Sequence, residues 1–216
     1  MQAAPGASTA TAGSRPARRD PSPTRDRLLD AAELLFARSS VAGVTTREIV
    51  EAAEQRNASA VSYHFGSREG LLLAILARRG AGVDAERGRL RAALGEDPSL
   101  SELVGCLVVP YCEMLHSPAG RSYLRIVAQL RGRFAAWRVE SDSATTAHLA
   151  EVLDEIEQRP AVSAALRRER VVALIMVLTA TTAERARRVD EGAVPELDHD
   201  EFVRNLVHMC AALVDG

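Results

Sequence analysis

The stretch Asn57–Gly70 reads NASAVSYHFGSREG. It is too short and too polar to be core packing alone. Asn57 is a good helix cap, because its side-chain oxygen can take an early backbone N–H. The expected helix runs from Ala58 to Phe65, with Ala58, Val61 and Phe65 inward and Ser59, Ser62 and Tyr63 outward. Gly66 ends it, and Ser67 caps a new helix with Glu69 in its first turn. A helix of barely two turns, with small residues outside and Tyr63-His64-Phe65 at its end, must serve something besides burial.

The residues upstream supply a reason. In GVTTREIVEAAE, Thr45 and Glu48 have the spacing of a capping box, and Ile49, Val50 and Ala53 form a buried face. Before it, PTRDRLLDAAELLFARSS places Leu28, Leu29, Ala32, Leu35 and Phe36 on one helical face. Pro23 or Thr24 starts that helix; Ser39-Ser40 and Gly43 stop it. Two short helices joined by a tight turn and braced by a third form the helix-turn-helix layout. Its second helix enters a DNA major groove about 12 Å wide, which a slim polar face permits. Arg56, Asn57, Ser59 and Ser62 can reach base edges. Tyr63 and His64 can donate to phosphates, and Arg68 suits another phosphate beside the free N–H groups of the next helix. Phe65 anchors the helix inside.

These residues also carry a resemblance. TRDRLLDAAELLFA, VTTREIVEAA and YHFGSREGLLLAIL, within residues 24–76, resemble the DNA-binding domain of TetR-family transcriptional regulators. The aromatic-His-Phe-Gly-Ser-basic-Glu-x-Leu run is its most specific part. The resemblance implies that Thr46 and Tyr63 contact phosphates; Arg56, Asn57 and Ser59 are the candidates for reading bases. With Thr45 at the cap, the candidate DNA contacts are Thr45, Thr46, Arg56, Asn57, Ser59, Ser62, Tyr63, His64 and Arg68. One departure stands out. The family's Ala-Gly-Val-Ser turn is replaced by Ala53-Glu54-Gln55-Arg56-Asn57, one residue longer and without the Gly.

The rest of the chain reads as helix after helix. Apolar residues make up 47% and aromatics only 4%, so Ala- and Leu-rich helices fit better than sheets. The long helix from Ser67 to Leu94 contains Gly80, Gly82 and Gly88, and the first two are candidate hinge points. Further helices are expected over Leu100–Leu115 with a kink at Pro110, Ala119–Phe134, Ala144–Arg159, Ala161–Val189 and His199–Val214. The fold class is therefore all-α. Residues 1–22 read as a disordered tail of small residues, Pro and Arg. Residues 23–70 form the helix-turn-helix domain, and residues 71–216 a larger helical ligand-binding and dimerisation domain. The N-terminus has no apolar signal segment and no window is long enough to span a membrane, which gives a cytoplasmic reading.

Charge is unevenly placed. Residues 1–79 hold 11 Arg against 8 acids, and residues 80–216 hold 16 against 21. A mildly basic front suits a polyanion. Enzyme chemistry finds little support. No His-x-x-x-His or His-Glu-x-x-His spacing occurs. Asp198-His199-Asp200 reads as a solvated helix start, and Glu151, Asp154, Glu155 and Glu157 as the wet face of a helix. Cys106, Cys112 and Cys210 form no Cys-x-x-Cys and read as buried thiols. No metal, cofactor or catalytic group is expected.

Tyr111, Met114, Tyr123, Phe134, Trp137 and Met176 are candidate lining of a small-molecule cavity between helices. Arg121, Arg125, Arg131 and His116 are near enough in sequence to suit an acidic group on the ligand. Val172 and Ile175, with the stripe Phe202, Leu206, Met209 and Leu213, are candidates for a dimer interface built as a four-helix bundle. The expected protein is a ligand-responsive repressor, acting as a homodimer on a palindromic operator in double-stranded DNA. The alternative is a helical small-molecule-binding or enzyme-like protein whose front hairpin only packs.

Overall fold

The computed structural model describes residues 22–130 and 143–216. The tail read over residues 1–22 lies outside it except for Ser22, as do Arg131, Phe134 and Trp137. Among the described residues there are nine α-helices, one short 3-10 helix and no strand. Here α1 is Ser22–Arg38, α2 Thr46–Ala52, α3 Ala60–Phe65, α4 Arg68–Ala93, α5 Leu100–Cys112, α6 Pro118–Leu130, α7 Ser143–Gln158, α8 Ala164–Asp190 and α9 His199–Asp215. The 3-10 helix Glu113–His116 follows α5.

Two apolar clusters organise the chain. The front one gathers Leu28, Leu29, Ala32 and Phe36 of α1, Ile49 and Val50 of α2, and Ala60 and Val61 of α3. It also takes in Leu71 and Ile75 of α4 and Ile126 of α6. Leu28, Phe36, Ile49 and Ile75 lose all contact with water there. Removing one such side chain costs about 2–5 kcal/mol. The larger cluster runs through α5, α7, α8 and α9, with Leu107, Ile156, Leu174 and Leu206 at its centre. No described helix is long and apolar enough to cross a membrane.

α4 belongs to both halves. It passes Gly80 and Gly82 without a break. Gly80 is buried, and the Tyr123 hydroxyl stands 3.3 Å from where a Cβ would lie. Close helix packing therefore explains Gly80 without a hinge. Polar contacts secure the junction. Glu33 of α1 is 3% exposed. Arg79 donates to both its oxygens at 2.9 and 3.0 Å, and Arg78 reaches it at 2.5 Å and Asp30 at 2.8 Å. α6 makes a second tie: Gln129 donates to the Phe36 carbonyl at 2.9 Å and accepts from the Val41 N–H at 2.6 Å.

The expected helix α3 begins two residues too early. It starts at Ala60, and Ala58 is exposed, so the buried pair is Ala60 and Val61. α5 continues past Pro110 to Cys112 and then tightens into the 3-10 helix.

Candidate functional site

The front site is built from three end-to-end stops and starts. α2 begins with the capping box expected from Thr45 and Glu48. The Thr45 N–H donates to Glu48 Oε2 at 2.7 Å, and the Glu48 N–H donates back to Thr45 Oγ1 at 3.3 Å. Hydrogen bonds from the Thr45 backbone and hydroxyl hold the Glu48 carboxyl below its ordinary pKa. The same hydroxyl donates to Glu48, so Thr45 is occupied at the cap.

The turn after α2 shows how the departure from Gly is accommodated. Glu54 adopts φ +54°, the left-handed region, the only described residue other than Gly to do so. Gln55 N–H then returns to the Val50 carbonyl at 2.9 Å, and Glu54 N–H to the Glu51 carbonyl at 2.9 Å. A side chain there costs backbone energy that Gly avoids. Glu54→Gly is expected to stabilise the protein by about 0.5–1 kcal/mol after the entropy of the more flexible unfolded chain is subtracted. Urea denaturation reads this directly; a loss of stability would assign the Glu54 side chain a native contact of its own.

Asn57 closes the turn that leads into α3. Its Oδ1 accepts from the Ser59 N–H at 2.9 Å, and its carbonyl accepts from Ala60 N–H at 3.0 Å. Only its side-chain N–H₂ remains to read an acceptor, so a two-point pairing with adenine would require this turn to open. Gly66 closes α3 at φ +75°. Gly70 must lack a side chain, because a Cβ would lie 2.1 Å from the Phe65 carbonyl oxygen. That approach seats the end of α3 against the start of α4, whose cap Ser67 accepts from Gly70 N–H at 2.9 Å. The final Gly of NASAVSYHFGSREG thus fixes the angle between these helices.

Ser59, Ser62 and Tyr63 are exposed along α3, with Tyr63 78% exposed. Its ring meets His64 edge to face at 4.9 Å. Arg56 is exposed, while Thr46 and His64 are half-buried. Arg68 has a different job from the one expected. It donates from Nε to the Val44 carbonyl at 3.0 Å and from Nη2 to the Val41 carbonyl, with its guanidinium over the Phe36 ring. It locks the α1–α2 loop and is only half-exposed. Arg47 was missed by the sequence reading. It is exposed in the first turn of α2, next to Thr46. The signal available was a basic residue beside the expected phosphate contact.

In the larger domain, Tyr111 and Tyr123 are buried with their rings 6.3 Å apart. They meet two residues the sequence reading passed over, Asp84 and Arg87 of α4. Asp84 accepts from the His148 N–H at 3.1 Å and the Leu149 N–H at 2.8 Å, and faces Arg87 at 3.5 Å. Burial pushes the Arg87 guanidinium below its ordinary pKa, opposed by Tyr123, Asp84 and Tyr111. Burial pushes both tyrosines up. Arg87 Nε is buried without a hydrogen-bond partner, and the buried Tyr111 hydroxyl has only a poorly aligned contact with Thr182. Thr182, beside Tyr111, spends its own proton on the Leu178 carbonyl. Val83, Arg87 and Leu90 share one face of α4, so i, i+4, i+7 spacing could have flagged Arg87 as inward.

The other ligand candidates scatter. Met114 is half-buried and packs on the core, whereas Met176 is exposed on α8 and does not join the tyrosines. Arg121 and Arg125 both pair with Asp190, at 2.5 and 3.5 Å, so they are not free for an acidic ligand. The dimer set is split. Ile175, Phe202 and Leu206 are buried inside the single chain, which corrects their assignment to an outer face. The inward stripe of α9 is Phe202, Leu206, Cys210 and Val214, at steps of four. Val172, Met209 and Leu213 remain exposed, now joined by Met176.

Residues 28–75 match the family described as bacterial regulatory proteins, tetR family. Residues 28–75 are thus a front domain of the TetR type. The match spans α1 through the first turns of α4, the elements that make the front site. Solved structures share the fold over most of the chain. One is NalD, the secondary repressor of the MexAB-OprM multidrug efflux pump in Pseudomonas aeruginosa, at 21% identity and TM-score 0.59, covering 89% of this chain and 96% of that one. Another is the fatty acid degradation regulator FadR from Bacillus halodurans, at 17% identity and TM-score 0.56, covering 88% and 95%. No curated protein matches in sequence. The match over residues 28–75 supports a DNA-binding regulator.

Proposed function

We propose that this TetR-family protein is a ligand-responsive repressor that binds a palindromic operator as a homodimer. The observation that carries the reading is the exposed face Ser59, Ser62 and Tyr63 on a short helix held rigidly between α2 and α4. Arg47 and Arg56 flank it, and phosphate contacts from such residues position a helix in the groove. Selection from a random duplex library is expected to enrich one sequence with twofold symmetry, whose binding weakens steeply as salt rises. Absence of any enriched sequence would remove the DNA reading and favour the helical binding-protein alternative.

The dimer reading rests on exposed Val172 and Met176 of α8 with Met209 and Leu213 of α9. Two such helices from each chain complete a four-helix bundle. Met209→Asp is expected to convert a sedimenting dimer to a monomer. A dimer that survives this change would move the interface elsewhere.

The effector reading centres on Arg87 and Tyr111. The unpartnered Arg87 Nε and the poorly satisfied Tyr111 hydroxyl would be satisfied by an acidic or hydroxylated small molecule. The route to the front domain is physical. Tyr123 of α6 sits at this polar nest, Ile126 three residues on lies in the front core, and Gln129 holds α1 and its loop. α4 runs alongside with Asp84 and Arg87 at the nest and Leu71 and Ile75 in the front core. A ligand changes the spacing of the DNA-reading heads only by as much as it binds one spacing better than the other.

A further inference from the structure

Three ligand-type side chains far apart in sequence meet outside the sites described above. Glu113 and His116 lie in the 3-10 helix after α5, and His199 is the first residue of α9. One ligand atom from each lies within 4.8 Å of the other two. His199 Nε2 stands 3.4 Å from Glu113 Oε1, and His116 Nε2 stands 3.6 Å from Glu113 Oε2. The two imidazole rings are 4.2 Å apart and tilted by 40°. His199 Nε2 is buried and makes no hydrogen bond. A buried ring nitrogen with no hydrogen bond of its own, 3.4 Å from a carboxylate and on a ring packed against a second imidazole, suits a site built for an ion.

We propose that Glu113, His116 and His199 bind a divalent transition metal ion of the zinc class. The donor set is two imidazoles and a carboxylate, borderline ligands that suit Zn²⁺ over Mg²⁺ or Ca²⁺. In a tetrahedral site with bonds of about 2.0–2.1 Å, ligand atoms sit about 3.3–3.4 Å apart. The edge from His199 Nε2 to Glu113 Oε1 is already close to that, while His116 Nε2 now lies nearest the other carboxylate oxygen, so a small rotation of the Glu113 carboxylate brings the three atoms round one ion. A fourth position is left for water. Cys112, next to Glu113, is fully buried.

The surroundings hold the ligands in place before any ion arrives. Arg185 of α8 donates to the Leu197 carbonyl at 2.9 Å and the Asp198 carbonyl at 3.2 Å, with its guanidinium 4.2 Å above the Phe202 ring. Asp198 caps α9 in a capping box with Glu201. The residue on which His199 hangs is therefore fixed from both sides, the support a metal site needs. An ion here would tie the start of α9 to the end of α5. The site stands apart from the DNA reading, and its test does not involve DNA.

The test uses the full chain, stripped with a chelator and dialysed, and titrated with Zn²⁺ alone. One equivalent per chain is expected by calorimetry, and Co²⁺ in its place should give the intense visible bands of a tetrahedral site. Glu113→Gln and His116→Ala are expected to weaken Zn²⁺ binding by about 100-fold or more, since each removes a direct ligand where even a supporting residue costs 10–100-fold. Both residues are exposed, so neither variant disturbs the core. Excess Zn²⁺ should raise the Tm of the parent chain but not of these variants. No binding, or equal binding by the parent and Glu113→Gln, overturns the proposal; the latter would place the ion elsewhere, for example at the His148–Glu151 pair.

Discussion

Asp84→Ala is expected to lower the stability of the folded chain by about 3–5 kcal/mol, the cost of removing one partner from a buried ion pair. Asp84 and Arg87 have 4% and 8% of their side chains exposed. Without Asp84 the guanidinium stays in an apolar interior and cannot reach water. The N–H groups of His148 and Leu149 lose their acceptor at the same time. Against a typical total of about 5–15 kcal/mol, this is a large share. The companion variant distinguishes a stranded charge from general disruption. Arg87→Met removes the charge and fills the space, while Asp84 keeps its two backbone donors. The double variant Asp84→Ala, Arg87→Met should therefore recover part of the loss. Guanidinium denaturation of the four proteins gives the cycle. A cost below about 1 kcal/mol for Asp84→Ala would mean that Arg87 finds another partner.

Ser62→Glu is expected to weaken operator binding by about 100-fold or more while leaving the unfolding midpoint within about 0.5 kcal/mol of the parent. Ser62 is exposed on α3, between Ser59 and the base of Tyr63. A carboxylate there would face phosphates on both sides of the groove and would bring a longer side chain between helix and bases. Its main-chain carbonyl, which accepts from Gly66 N–H at 3.0 Å, is unaffected. Ser101→Glu, an equal change of charge at an exposed position in α5, is the control and should leave binding unchanged. If both variants bind alike, α3 is not the reading helix.

The two predictions probe features of different legibility. The exposed face of α3 was visible in the chain because caps, turns and small residues act over three or four positions. Thr45 with Glu48, Ser67 with Gly70 and the stop at Gly66 are all local events, and each is found where the spacing put it. The start of α3 was misjudged by two residues, since Asn57 turns the chain without beginning the helix. Glu54 shows the limit of local reading in another way. A missing Gly suggested a different turn, yet the chain keeps the left-handed step and bears its cost.

Sequence alone determined the all-helical class, the helix-turn-helix at the front and the approximate course of the long helices behind it. These follow from hydrophobic period and capping chemistry, which are written within a few residues. Only the tertiary structure decided which face of each helix was left over. Phe202 and Leu206 went into the monomer while Met209 and Leu213 stayed outside, a choice set by where α5 and α8 lie against α9. Arg68 was taken by the carbonyls of Val41 and Val44, far behind it in the chain. Asp84 found its partners on α7, and the first residue of α9, His199, met Glu113 and His116 at the end of α5. Such pairings depend on the packing angles of whole helices, summed over many small contacts, and no short stretch of sequence carries that sum.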